Sequence, residues 1–210
     1  PDVDRLAFVC EDGEMFGEEY TLVAVSEYIL EHKKGATVSN LSSTMALGDV
    51  TKKLGGTYFP SAVGEVNVVK EMKRVDAVIG GEGNGGIIYP ELHYGRDALV
   101  GIALFLTHLA NKELSMSKLR ASYPSYEMVK DKVDLDPNLD VDALLKTLEK
   151  KYTKFDLNTI DGLKITMPEG WVMIRKSNTE PIVRVYAESE SVTMAENIVN
   201  KIKEDIKDFS

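Results

Sequence analysis

The fold class this sequence predicts is a layered α/β domain, with a mixed sheet and flanking helices, followed by a small α+β domain with an antiparallel sheet and two helices. Three observations predict it. From Leu6 to Leu109, short apolar runs alternate with segments of helical spacing, the rhythm of a sheet covered by helices. After Asn111 that rhythm stops, and Ser122-Tyr123-Pro124-Ser125 reads as a turn or hinge, because the residue before proline is pushed out of the helical region. Beyond it, strands cluster between two helical stripes. The boundary is placed near Ala121, giving domains 1–121 and 122–210.

Each element has its own signal. Leu6–Cys10 reads as a strand and Glu11-Asp12-Gly13 as a turn. In Thr21–Leu30, Leu22, Val25, Ile29 and Leu30 share a helical face. Ala36–Leu41 (strand), Thr44–Leu54 (helix), the Gly55-Gly56 break and Thr57–Phe59 (strand) follow. Val66–Lys73 reads as helix, and Val75–Ile79 as a short buried strand ended by Gly80-Gly81. Asp97–Leu109 is apolar nearly all round, which predicts a buried helix. Leu114–Ala121 is one more helix. Val141, Leu144, Leu145 and Leu148 mark a helix in the second domain. Gly162–Met167, Trp171–Ile174 and Ile182–Ala187 are strands, the last two joined by the Lys176–Pro181 turn. Met194, Ile198, Val199 and Ile202 mark a final amphipathic helix.

Composition narrows the function classes. The chain has 210 residues, 43% hydrophobic and 28% charged, with a formal net charge of −9, as expected of a globular protein. There is no basic footprint for nucleic acid. No apolar run is long enough for a transmembrane helix, so no membrane partner is expected. PDVDRLAFVC shows no basic segment before a long apolar one, so no signal peptide is read. The first residue is Pro, which suggests a fragment or a processed chain. Cys10 is the only cysteine, which fits a reducing compartment and a cytoplasmic location.

Four polar stretches sit at element junctions, where α/β proteins place their sites. Asp2-Val3-Asp4-Arg5 sets two carboxylates where both can reach a hard cation such as Mg²⁺; a solvated acidic chain end is the plainer reading. Ser61-Ala62-Val63-Gly64-Glu65 is a loop in which Gly64 permits a tight turn and Glu65 can begin a helix. Gly80-Gly81-Glu82-Gly83-Asn84-Gly85-Gly86 has five glycines in seven residues, which lets a ligand approach the backbone. It lacks the Lys-Ser/Thr ending of a phosphate loop, and Glu82 would repel phosphate. Glu82 and Asn84 instead suit vicinal sugar hydroxyls; a plain flexible turn is the alternative. In Arg175–Glu188, Arg175 and Arg184 flank Ser177, Asn178 and Thr179. Converging guanidiniums, hydroxyls and turn N–H groups make an anion nest, against the alternative of an exposed hairpin. His32 reads as a surface residue, His108 as a core histidine, and His93 as undecided, close to the glycine loop.

In this order the loops resemble the alpha-D-phosphohexomutase superfamily, the phosphoglucomutase, phosphomannomutase and phosphoglucosamine mutase enzymes. Asp2-Val3-Asp4-Arg5 resembles the end of the family's Asp-x-Asp-x-Asp-Arg metal loop. Gly81–Gly85 resembles its sugar-binding Gly-Glu-x-Ser/Asn-Gly loop, and Arg175–Pro181 with Arg184 its phosphate-binding loop. The resemblance covers essentially the whole chain and implies the third and fourth of four domains, with the tail of the second. It implies a phosphoserine elsewhere in the protein that phosphorylates a hexose 1- or 6-phosphate through a bisphosphate, which also serves as activator. It implies Asp2 and Asp4 on Mg²⁺, and Arg5 beside the phosphoserine or substrate. Gly64, Glu82 and Asn84 would lie at the sugar. Arg175, Ser177, Asn178, Thr179 and Arg184 would hold the non-reacting phosphate. The chain departs from the pattern where the first metal Asp would precede Pro1, where Gly86 replaces a common His, and where no Ser-His nucleophile motif occurs. The expected partners are therefore a phosphosugar and the N-terminal domains of the same protein. The alternatives are a stand-alone phosphosugar-binding or regulatory module, and an Asp-x-Asp phosphatase of the haloacid-dehalogenase type. The phosphatase needs a buried strand before its Asp-x-Asp, whereas here the apolar run comes after it.

Overall fold

The run Leu6–Cys10, expected as the first strand, joins no sheet in the computed structural model of the chain, which describes residues 3–136, 139–177 and 180–209. Val9 makes a single antiparallel bridge with Met15. Part of the run instead packs inward: Leu6 and Cys10 are buried, while Val9 is 59% exposed, and Phe8 stacks on Phe105, a helix residue, with ring centroids 4.0 Å apart. Apolar content alone called for burial, and the helix supplied part of it.

The chain divides into two compact units, Pro1–Ser125 and Tyr126–Ser210. The first contains α1 (Glu18–His32), β1 (Ala36–Asn40), α2 (Ala46–Lys53), β2 (Thr57–Ser61), α3 (Glu65–Val75), β3 (Ala77–Glu82), β4 (Gly86–Ile88), α4 (Ala98–Lys112) and α5 (Met116–Ala121). Its sheet has the order β2-β1-β3-β4. β1 runs parallel to both β2 and β3, and β4 returns antiparallel to β3. Val38 of β1 packs with Val68 and Met72 of α3, while Thr37, on the opposite pleat, hydrogen-bonds Thr51 of α2. Helices therefore cover both faces. Each large apolar side chain fully buried in these layers contributes about 1.5–3 kcal/mol.

Two sequence expectations fail here for physical reasons. β3 does not stop before Gly80-Gly81 but runs through both to Glu82. A side chain at Gly80 would meet Met72 and the Val38 carbonyl, and one at Gly81 the Gly86 carbonyl; the glycines serve close packing rather than termination. α4 is not buried all round. Ala98, Gly101, Phe105 and His108 face inward, whereas Leu99 and Leu106 are 69% and 49% exposed. Asp97 caps this helix by accepting the Val100 N–H at 3.0 Å.

A buried polar network fastens α1, α4 and the turn after α5. The His108 Nε2–H donates to Glu27 Oε2 at 2.9 Å, and the Tyr123 hydroxyl donates to the same oxygen at 2.6 Å. Lys112 reaches Glu27 Oε1 at 3.4 Å. Burial opposes the charge on Glu27, but the bonds from His108 and Tyr123 and the Lys112 charge outweigh it and hold the carboxyl at about 2. Burial first, then the hydrogen bond to Glu27, raises the Tyr123 phenol.

The second unit contains β5 (Glu127–Asp134), α6 (Val141–Lys151), β6 (Asp156–Asn158), β7 (Leu163–Met167), β8 (Gly170–Lys176), β9 (Ile182–Ser189) and α7 (Val192–Lys207). Its five strands pair antiparallel in the order β5-β9-β8-β7-β6. Val172, Ile174, Val183, Val185 and Ala187 on one face pack with Leu144 and Leu148 of α6 and Ile198, Val199 and Ile202 of α7. Residues on the other pleat, among them Arg175 and Arg184, point away from that core. β5 and β6 are strands beyond those the sequence pattern indicated.

Candidate functional site: two polar clusters, one in each unit

In the first unit, the parallel strands β1, β2 and β3 end at Asn40, Ser61 and Glu82. β1 has β2 on one side and β3 on the other, so the direction of winding switches there. Ligand crevices of open α/β sheets lie outside such carboxyl ends. Asn40 Nδ2 donates to Glu82 Oε1 at 3.1 Å, bridging that switch. Asn40 Oδ1 in turn accepts from the Ser42 N–H and the Ser42 and Ser43 hydroxyls, and Ser43 Oγ accepts the Gly83 N–H at 3.2 Å. The loop after β1 thus holds the loop after β3.

Arg96, which the sequence reading passed over, gathers three of the predicted stretches. Its Nη2 lies 2.5 Å from Asp4 Oδ2, its Nη1 donates to Glu82 Oε2 at 3.2 Å, and its Nε donates to Glu65 Oε2 at 3.2 Å. Its backbone N–H donates to Glu65 Oε1 at 3.1 Å. Three carboxylates around one guanidinium exploit its fixed fork of donors. Arg96 and Glu82 side chains are 17% and 7% exposed, so these bonds form with little competing water. Each Glu82 oxygen accepts one bond here and keeps capacity for another.

The other predicted residues of this unit fall as follows. Gly64 is the N-cap of α3 with φ 110, a conformation glycine adopts freely, and it aims Glu65 at Arg96. Asn84 Oδ1 accepts the Gly86 N–H at 3.1 Å, closing the β3–β4 turn. Arg5 is exposed and forms no ion pair among the described residues. Asp2 lies outside the described residues. Among those described, no group of three His, Cys, Asp or Glu side chains could hold a metal ion, and Asp4 is held by Arg96. The described residues alone do not fit a magnesium site. His93 pairs with Asp97 at 3.0 Å rather than joining the Arg96 cluster, and His32 is exposed.

In the second unit, Arg175 of β8 and Arg184 of β9 are direct register partners. Directly opposed residues share a face with Cβ atoms about 5 Å apart, so the two side chains leave the sheet side by side. Arg175 Nε donates to Asp161 Oδ1 at 2.9 Å, which fixes its orientation. The Ser177 N–H donates to the Ile182 carbonyl at 3.0 Å, pinning the entry of the connecting turn to its exit, and Ser177 is buried. Asn178 and Thr179 lie outside the described residues.

Two adjoining sequence models match this chain. The phosphoglucomutase/phosphomannomutase alpha/beta/alpha domain III matches residues 17–126, and the C-terminal domain of the same family matches residues 129–205. The chain belongs to the phosphoglucomutase/phosphomannomutase family. It is 33% identical over 201 residues to a probable phosphoglucosamine mutase of Methanopyrus kandleri, covering 94% of this chain and 44% of that protein. It is also 33% identical over 193 residues to a phosphoglucomutase/phosphomannomutase of Thermococcus kodakarensis, covering 90% of this chain and 42% of that one. The chain thus spans less than half the length of these relatives. A crystal structure of a family protein from Burkholderia thailandensis superposes with TM-score 0.82 at 23% identity, over 99% of this chain and 45% of that one. The Aspergillus fumigatus N-acetylphosphoglucosamine mutase, solved with GlcNAc-6P and magnesium, gives TM-score 0.69 at 16% identity over 98% of this chain and 50% of that one. These likenesses place both units in the family fold, as domains III and IV. No helix among the described residues is long and apolar enough to cross a membrane.

Proposed function

We propose that this chain is the sugar- and phosphate-binding half of a phosphohexomutase, which interconverts a hexose 1-phosphate and a hexose 6-phosphate through a bisphosphate intermediate. The observation that carries the reading is the direct opposition of Arg175 and Arg184 across β8 and β9. Two guanidiniums on one face, beside a turn rich in hydroxyls, match the charge and the fork geometry of a phosphoryl group. Ser177, Asn178 and Thr179 complete that clamp, which holds the phosphate not being transferred.

In the first unit, Glu82 takes sugar hydroxyls on the lone pairs that Arg96 and Asn40 leave open. Asn84 and Gly64 are assigned to the sugar with it, and Arg5 to the reacting phosphate. The nucleophilic serine and the remaining domains belong to other parts of the polypeptide. The bisphosphate activator and magnesium follow from relatives: Aspergillus fumigatus N-acetylphosphoglucosamine mutase has been solved with magnesium and, as a serine-to-alanine variant, with glucose 1,6-bisphosphate. Curated relatives are named as phosphoglucosamine mutases, so amino-sugar phosphates come first in a substrate panel, with glucose and mannose phosphates beside them. The enzyme is assigned to the cytoplasm on its single cysteine.

The test is titration of glucose 6-phosphate and glucosamine 6-phosphate into the chain and its Arg175→Ala variant. Loss of one charge-assisted contact should weaken binding by about 1.5–3 kcal/mol. Equal affinity for both proteins would move the phosphate site elsewhere. Isomerisation should require the N-terminal half; turnover by these 210 residues alone would refute the assignment of the nucleophile.

A further inference from the structure

The phosphate clamp has a neighbour that the proposed function does not use. β5 pairs with β9 so that Lys132 stands directly opposite Arg184, and Arg184 stands directly opposite Arg175 of β8. Three cations therefore form one row across β5, β9 and β8, on the face turned away from the apolar core. Lys130 begins the next row, opposite Tyr186.

Like charges placed directly opposite on one face destabilise a sheet. This chain has 34 acidic and 25 basic residues, so counter-charges are plentiful, yet among the described residues only Arg175 of the three has an ion-pair partner. Asp161 is committed to Arg175. Asp131, on the same strand as Lys132, points to the other face and pairs with Lys203 of α7 at 2.7 Å. Among the described residues, no ion pair is formed by Lys130, Lys132 or Arg184. Arg184 donates to the Tyr186 hydroxyl at 3.5 Å, and Lys130 lies 5.7 Å from the Tyr186 ring centre. Lys130, Lys132, Arg184 and Tyr186 line a groove of about 300 Å³, with Asp131, Glu180 and Ile182 also lining it.

Reach decides what such a row can hold. Adjacent strands lie about 4.8 Å apart, so the backbones under Lys132 and Arg175 are roughly 10 Å apart with Arg184 between them. Two long side chains leaning inward over that span can both touch an anion seated above Arg184. We propose that Lys132 is a third cationic ligand of the phosphate clamp, closing on the phosphoryl dianion of a phosphosugar from the β5 side while Arg175 closes from the β8 side. Arg184 forms the floor, and Tyr186 supplies a hydroxyl beside it. This rests on the phosphosugar reading above and adds β5 to the site. A lysine suits this outer position as a mobile point charge, where the arginines give fixed geometry.

The experiment titrates inorganic phosphate and glucose 6-phosphate into the 210-residue chain at low and moderate salt, following backbone amide shifts by NMR. The proteins are the unsubstituted chain, Lys132→Gln, Lys132→Arg and Arg175→Ala. Lys132→Gln should weaken both ligands roughly 5- to 20-fold and flatten the salt dependence, while Lys132→Arg should restore most of the affinity. Unchanged binding in Lys132→Gln, with weakened binding in Arg175→Ala, would overturn the role of Lys132 and leave the clamp standing. Unchanged binding in both variants, or no binding by the unsubstituted chain, would overturn the clamp as well. Lys132 is exposed, and amide spectra report directly whether each variant remains folded.

Discussion

Replacing Arg96 by Met should cost the first unit about 3–5 kcal/mol at neutral pH, the range for removing one partner of a buried ion pair. The figure follows from what the substitution strands. Glu82, with a side chain 7% exposed, loses its Oε2 donor. Asp4, 19% exposed, loses the guanidinium 2.5 Å away. Glu65 is 35% exposed and contributes at the low end typical of solvated pairs. Asn40 still donates to Glu82 Oε1, so one oxygen remains satisfied, which keeps the cost from rising higher. Adding Glu82→Gln removes the stranded charge, so the double variant should recover part of the loss, with a coupling of about 1–3 kcal/mol. The assay needs a probe in the right unit. The only tryptophan, Trp171, lies in β8 of the second unit, so its fluorescence follows the wrong transition. Urea unfolding by circular dichroism, with hydrogen exchange at β3 and β4 amides, reads the first unit. A loss below about 1 kcal/mol, or additivity in the double variant, would refute the argument that Arg96 organises this cluster.

Two further outcomes are expected. Glu27 is held down from an ordinary 4.5 to about 2, so its contribution, about 2–3 kcal/mol, is complete above pH 4.5 and is lost as pH falls toward 2; Glu27→Gln should flatten acid unfolding across that window. Gly85→Ala should cost about 2–4 kcal/mol, because Gly85 has φ +81 and a Cβ there would collide with the Leu6 carbonyl, whereas Gly13→Ala, at φ +89 with open space around it, should cost only about 1 kcal/mol; equal melting temperatures for the two variants would contradict the steric account.

Much of the fold was legible because its signal is local. Leu22, Val25, Ile29 and Leu30 repeat at helical spacing, and all four are buried in α1. β5 escaped because Glu-Met-Val-Lys-Asp-Lys-Val-Asp buries little beyond Val129 and Val133; an edge strand needs few apolar residues, so it leaves few to read. β6 is three residues long, too short for any period. The glycine loop was visible by composition, but its two halves differ: Gly80 and Gly81 belong to the strand, and the turn itself is Gly83-Asn84-Gly85. Arg175 and Arg184 could be paired because a single hairpin joins them. Arg96 could not, since Asp4, Glu65 and Glu82 approach it from separate parts of the chain. The available hint was an arginine between Gly95 and the helix-capping Asp97, in a loop already rich in polar residues. Lys132 stayed hidden for the same reason as its strand.

The outer strands of the two sheets have a consequence for how such a chain survives its own synthesis. β2 carries Pro60, which offers no N–H to a new neighbour. β4 and β6 are three residues each, and β5 is lined with lysines and aspartates. Each of these four edges is thereby a poor template for strand addition. Units of a long polypeptide fold one after another as they emerge, and each here can wait, finished but unaccompanied, without recruiting a second chain into fibrillar or swapped assemblies.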